Sequence, residues 1–314
     1  MESELITLTD ATSGTTASVL PRRGFNCISF QVPHAGGPLE VLWTAKDFVS
    51  GQARPASSGI PILFPFPGRL RGTSFTFEGR TFELKGEDAF GNAIHGFVLK
   101  QPWPVIERSE HHVIGQLTAS KDMPDVLQHW PSDFQISAAY EVRPNRLTLT
   151  IKVENVGDVP LPFGLGMHPY FRVPLGSGDP GACRITIPVT DCWELQDMLP
   201  TGDMIPAADA GLPPGGILFG KARFDHVFSG MQSQQGRATA TIADLASGRT
   251  MRLSFDDKFH ACVVYTPHHG EAFCIEPYTC VPDAYTLEAA GHDTGLRILA
   301  PGESFRAAMD ISVD

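Results

Sequence analysis

Arg146-Leu147-Thr148-Leu149-Thr150-Ile151-Lys152-Val153 alternates polar and apolar side chains without interruption. A β-strand sends successive side chains to opposite faces, so Leu147, Leu149, Ile151 and Val153 face a core and the polar set faces outward. Residues 134–142, just upstream, are the expected antiparallel partner. The same reading makes a hairpin of residues 238–243 and 250–255 around a Ser247-Gly248 turn. Another comes from Phe75 and Phe77 returning as Phe82 and Leu84 around Gly79.

Working outward, 31 glycines and 26 prolines spread through 314 residues punctuate the chain throughout. Turns are therefore frequent, and no window carries the i, i+3, i+4, i+7 apolar spacing of a sustained helix. Many short strands with few short helices predict an all-β sandwich or barrel. With no internal repeat or polar linker, residues 1–314 read as a single domain. The Gly/Pro-rich run over residues 200–220 reads as a long surface loop.

The composition, 42% hydrophobic and 19% charged, suits a globular chain with an ample core. A net charge of -11 argues against a general nucleic-acid binder. The start, Met1-Glu2-Ser3-Glu4, is acidic, and no segment offers the roughly 18 apolar residues of a membrane helix, so the expected location is cytoplasmic. Six cysteines without a C-x-x-C pair are expected as buried free thiols, with no metal and no disulfide scaffold.

Several short segments combine aromatics, turn formers and titratable groups. In Gly59-Ile60-Pro61-Ile62-Leu63-Phe64-Pro65-Phe66-Pro67-Gly68-Arg69-Leu70 the prolines exclude a central ladder strand and stiffen an apolar segment ending at Arg69. Arg69 is either a solvated or paired edge residue or a rigid fork for sugar hydroxyls. In Asn92-Ala93-Ile94-His95-Gly96-Phe97 the glycine lets backbone approach a ligand closely beside His95. In Phe163-Gly164-Leu165-Gly166-Met167-His168-Pro169-Tyr170-Phe171, Pro169 disfavours helix at His168, whose side chain can exchange a proton at working pH. In Phe273-Cys274-Ile275-Glu276-Pro277-Tyr278 an acidic group sits in an apolar run, costly to bury unless paired or used, with the proline expected to end the strand there. Asp225 stands among aromatics in Phe224-Asp225-His226-Val227-Phe228. The pairs His111-His112 and His268-His269 read as surface.

In their order, Gly-Arg-Leu, His-Gly-Phe, His-Pro-Tyr-Phe, Phe-Asp-x-Val-Phe and Glu-Pro-Tyr resemble the aldose 1-epimerase (galactose mutarotase) family over residues 59–285. The resemblance implies a large antiparallel β-sandwich with a sugar in an open cleft. It also implies interconversion of α and β anomers with no cofactor, His168 as general acid and Glu276 as general base. Arg69, His95 and Asp225 would hold the sugar, with Tyr170 and Tyr278 as further contacts. Gly68, Pro169 and Tyr278 stand where the best-known galactose-handling members carry Asn, Thr and Gln. The Pro-Ile-Leu-Phe-Pro stretch is similar to a bacterial branch that includes hexose-6-phosphate and sulfosugar mutarotases, which implies a cation cluster; Arg71, Arg172 and Arg223 are candidates.

Such a reaction needs a base and an acid, expected here as an ionised Glu276 and a protonated His168. The expected partner is a small sugar, with no nucleic acid or membrane, and the chain a monomer or weak homodimer. Two other classes compete. A glycoside hydrolase needs two carboxylates, Glu276 and Asp225 being the available pair. A non-catalytic carbohydrate-binding protein needs only the aromatics.

Overall fold

The computed structural model describes residues 5–314. The fold is all-β, and its largest sheet is nine-stranded and antiparallel. Phe134–Arg143 and Arg146–Asn155 form its central hairpin, paired from Phe134 opposite Asn155 to Arg143 opposite Arg146. Leu147, Leu149, Ile151 and Val153 are all buried, as their alternation requires. Arg237–Asp244 and Arg249–Asp256 form the expected second hairpin in the same sheet, joined to the first through Ser304–Val313. Ser74–Phe77 and Arg80–Glu83 form the third. The two α-helices among the described residues, Ala119–Asp122 and Ala284–Ala289, are short. No helix among the described residues is long and apolar enough to cross a membrane.

A second antiparallel sheet carries the candidate site. Six of its strands are β1 (Ile62–Leu63), β2 (Gly166–Met167), β3 (Tyr170–Arg172), β4 (Asp225–Ser229), β5 (Ala261–Tyr265) and β6 (Ala272–Tyr278). The order runs Leu199–Pro206, Asp191–Gln196, β4, β5, β6, β2, β1, with β3 also on β6. One face packs on the large sheet: the Phe64 and Phe134 rings meet edge to face at 4.8 Å, and one buried apolar cluster runs from Ile6 to Val313. Phe273 and Ile275 of β6 belong to it. The opposite face of β6 is covered too, Tyr278 packing with Leu63, Val227 and Val281. All seven residues of β6 are therefore buried, and the strand shows no alternation.

Two expectations need correction. Pro277 does not end its strand: it lies within β6, opposite Cys262 of β5, so Glu276 sits mid-strand. Thr279 donates its N–H to Leu165 O on the β2 side, and two residues back the Pro277 nitrogen points the same way. There it falls opposite Met167, the last residue of β2, where the pairing of β2 with β6 stops. The run over residues 200–220 is only partly loop, because Leu199–Pro206 is a strand. It is an edge, which is where a sheet tolerates prolines such as Pro200 and Pro206.

The six cysteines are free and buried, as expected. The histidines of His268-His269 are exposed, and His112 is tied to Glu107 at the surface at 2.7 Å.

Candidate active site

The register of β6 assembles the site. Gly166 of β2 faces Tyr278 and Tyr170 of β3 faces Cys274, so His168, in the break between them, falls opposite Glu276. On the other side Val263 faces Glu276, Tyr265 faces Cys274, and Asp225 of β4 faces Tyr265. Side chains at every second position share a face. His168, Tyr170, Asp225, Tyr265, Glu276 and Tyr278 therefore emerge together as the floor of a cleft of about 780 Å³.

The break at His168 is anchored from the far side, where its N–H donates to Pro61 O at 3.0 Å. Its Nε2 lies 3.3 Å from Glu276 Oε1, and the Tyr278 hydroxyl donates to Glu276 Oε2 at 2.7 Å. Glu276 is 1% exposed and His168 7%. Glu276 Oε1 and His168 Nδ1 have no hydrogen-bond partner among the described residues, so the imidazole and carboxyl are adjacent but not aligned.

Burial favours the neutral form of both groups. It lowers His168 to about 3 and pushes Glu276 well above the usual carboxylate range. For Glu276 the Tyr278 hydrogen bond and Arg69 oppose that rise, while Asp225 adds to it. For each group burial thus opposes the charged starting state expected from the sequence, an ionised Glu276 and a protonated His168.

Arg69 and His95 form one wall. The short strand Arg69–Leu70 pairs with Ala93–Ile94, Arg69 lying opposite Ile94, which brings His95 alongside. The His95 and His168 rings stand edge to face, 5.8 Å apart. Gly96 serves a different purpose from the one expected. At φ +68° it lies against the Phe64 carbonyl, where a Cβ would come within 2.1 Å, so its close approach is to backbone. Arg69 Nε donates to Asp88 Oδ2 at 2.8 Å, and Lys100, also on the cleft, pairs with Glu87. Asp225 is exposed on the floor's edge; desolvation raises its carboxyl, opposed by Arg69, His226 and His268.

The sequence reading did not single out Asp88, Tyr265 or Arg54, all of which line the cleft. Tyr265 ends the run Ala261-Cys262-Val263-Val264-Tyr265, and a period-two reading of it could have found that residue. Asp88 lies in a turn held by its own Oδ1, which accepts from Phe90 N and Asn92 N, a local pattern that does not reveal Arg69 as its partner. Arg71, Arg172 and Arg223 do not line the cleft. Arg71 pairs with Asp283 at 3.0 Å, and Arg223 borders a separate cavity of about 330 Å³.

His168, Cys274 and Glu276 offer ligand atoms within 4.8 Å of one another. A tetrahedral zinc site holds its ligands about 3.5 Å apart, so the trio would have to close in by roughly an ångström. Burial also pushes the Cys274 thiol well up, which opposes the thiolate a metal needs.

A family model described as aldose 1-epimerase matches residues 4–312. The chain belongs to the aldose 1-epimerase family. Proteins it resembles include the uncharacterized protein YphB of Escherichia coli K12, 25% identical over 302 residues that cover 91% of this chain and 96% of that one. Chromosomal protein LacX of Lactococcus lactis subsp. lactis is 24% identical over 77% of this chain and 78% of its own. Among solved structures, a galactose mutarotase-like protein from Clostridium acetobutylicum superposes with a TM-score of 0.87 at 23% identity, covering 100% of this chain and 96% of that one. A putative aldose 1-epimerase from E. coli K12 gives 0.78 at 22%, with 99% of both covered. The expected galactose mutarotase-like sandwich is thus the fold of this aldose 1-epimerase family member.

Proposed function

We propose that this protein is a mutarotase, interconverting the α and β anomers of a free aldose, with His168 and Glu276 as its proton-transfer pair. The observation that carries this reading is the 3.3 Å approach of His168 Nε2 to Glu276 Oε1 on the floor of a sugar-sized cleft. Opening a pyranose requires a base to take the anomeric hydroxyl proton and an acid to protonate the ring oxygen; rotation about C1–C2 and reclosure give the other anomer.

The pair holds one proton, and moving it from Glu276 to His168 leaves their total charge unchanged. Glu276 carboxylate is then the base and His168 imidazolium the acid, and the roles exchange on reclosure. Arg69, His95 and Asp225 bind the hydroxyls, and Tyr170 gives His168 a flat backing. One domain carries the whole activity, consistent with the continuous apolar cluster.

A hexose-6-phosphate or sulfosugar substrate is a second reading. It finds one cleft cation, Arg54, without an ion-pair partner among the described residues, while Arg69 and Lys100 are paired with acids; this balance favours an uncharged sugar. A hydrolase is disfavoured because the group in contact with Glu276 is an imidazole rather than a second carboxylate.

The test is anomer exchange by NMR with glucose, galactose, glucose 6-phosphate and a sulfosugar, using wild type, Glu276→Gln and His168→Asn. Each substitution should slow exchange by about a hundredfold or more in folded protein. Near-wild-type exchange in either variant removes that residue from the mechanism, and sugar binding without exchange in wild type makes the protein a binding protein.

A further inference from the structure

We propose that Tyr278 is a positioning residue that decides which oxygen of Glu276 reacts. This rests on the reading of Glu276 as a proton-transfer group. The carboxyl has two oxygens in unlike settings. Oε2 accepts from the Tyr278 hydroxyl at 2.7 Å, whereas Oε1 has no hydrogen-bond partner among the described residues and lies beside His168 Nε2. The carbonyl oxygen of a protonated carboxyl is its stronger acceptor, so a hydrogen bond to Oε2 favours the proton on Oε1. The exchangeable proton is thereby kept on Oε1, the atom adjacent to His168, and the carboxyl cannot present its oxygens interchangeably.

The tyrosine can do this because its ring is held. Tyr278 is 1% exposed and lies directly across from Gly166, where a Cβ would come within 2.6 Å of its Cδ1. Gly68, at φ +66°, leaves similar room: a Cβ there would sit 3.4 Å from Tyr278 Cε2 and 2.7 Å from Pro282 Cγ. Two positions without side chains thus make the slot that the phenol fills, and the slot sets its hydroxyl against Oε2. Sugar binding is a lesser part of its role, because the polar atom it would offer a sugar is already committed to Glu276.

The experiment is Tyr278→Phe, which keeps the ring and removes only the hydroxyl. Two measurements follow: anomer exchange as kcat and KM, and the ¹³C titration of the Glu276 carboxyl in [¹³C]glutamate-labelled protein, assigned by its loss in Glu276→Gln. The groups that act on the carboxyl in both proteins are His168, Asp225, Arg69, the Tyr170 and Tyr265 phenols and the Cys262 and Cys274 thiols. Loss of the hydrogen bond should lower kcat by about ten- to a hundredfold with KM within about twofold. The carboxyl's titration midpoint should move upward, because a donor that stabilised the carboxylate is gone. Unchanged kcat with an unshifted titration overturns the proposal, as does a raised KM with unchanged kcat, which would make Tyr278 a sugar contact. A wild-type protein without anomer exchange overturns the reading of the site instead, and the carboxyl titration then still decides the tyrosine's role.

Discussion

The Tyr170 ring lies flat against the His168 imidazole, centroids 4.8 Å apart and planes 2° from parallel. His168 Nδ1 has no hydrogen-bond partner among the described residues, so the ring's orientation depends on this stack, on His95 and Tyr265 packed edge to face with it and on the backbone anchor to Pro61. On the proposed role of His168, Tyr170→Leu should lower kcat by about tenfold or more, because a misoriented proton-transfer group loses its geometry. Tyr170→Phe, which preserves the stack, should stay near the wild-type rate. Equal losses in both variants would assign the effect to the hydroxyl.

The pH profile follows from the one-proton state of the pair. Below about 3, His168 gains a proton and the pair has no acceptor. Above the raised value of Glu276, the last proton leaves and the pair has no donor. The kcat/KM for anomer exchange should therefore stay high through the ordinary carboxylate range and fall on the alkaline side, its limbs belonging to the pair rather than to either residue. A steep loss of activity between pH 6 and 5 would contradict this assignment.

Glu276 also costs stability. Its folded-state value lies above its unfolded one, so its favourable contribution is complete below the unfolded value near 4.5 and is lost as pH rises through the folded value. Glu276→Gln removes that loss. The variant should melt higher than wild type at pH 8, with the difference shrinking toward pH 4, while its activity falls. Thermal unfolding at both pH values measures it, and equal melting temperatures at pH 8 would count against a buried carboxylate burden.

Gly96→Ala should be severely destabilising, since it forces both a left-handed backbone and a Cβ onto the Phe64 carbonyl. A loss of about 2–4 kcal/mol in urea unfolding is expected from strain plus displaced backbone. Gly91→Ala, where φ is +79° but a Cβ would meet nothing within 4 Å, is the control and should lose less.

Where one face of a strand meets solvent, the sequence was enough. Residues 146–153 disclosed strand, face and partner together, because burial on one side leaves a period of two. β6 was opaque for the opposite reason: with Phe273 and Ile275 in one apolar cluster and Tyr278 in another, no alternation survives, and Pro277 read as a terminator. The edge strand Leu199–Pro206 was hidden by composition, since prolines signal turns unless their missing donor faces away from the ladder. Within the site, His168, Glu276, Arg69, His95 and Asp225 stood out because titratable groups in apolar runs need a reason. Their mutual arrangement did not, since it depends on a gap between two short strands that no local pattern announces.

The cleft's floor and part of its rim come from different kinds of backbone. His168 and Glu276 face one another across the sheet, whereas Arg54, Asp88 and Lys100 reach the cleft from connecting segments. Connecting segments accept insertions and exchanges that a doubly buried strand does not. On the proposed reading, part of the cleft's rim and its proton-transfer pair are therefore separately inheritable: a descendant could trade the segments bearing Arg54 and Asp88 for others and keep His168 and Glu276 in register.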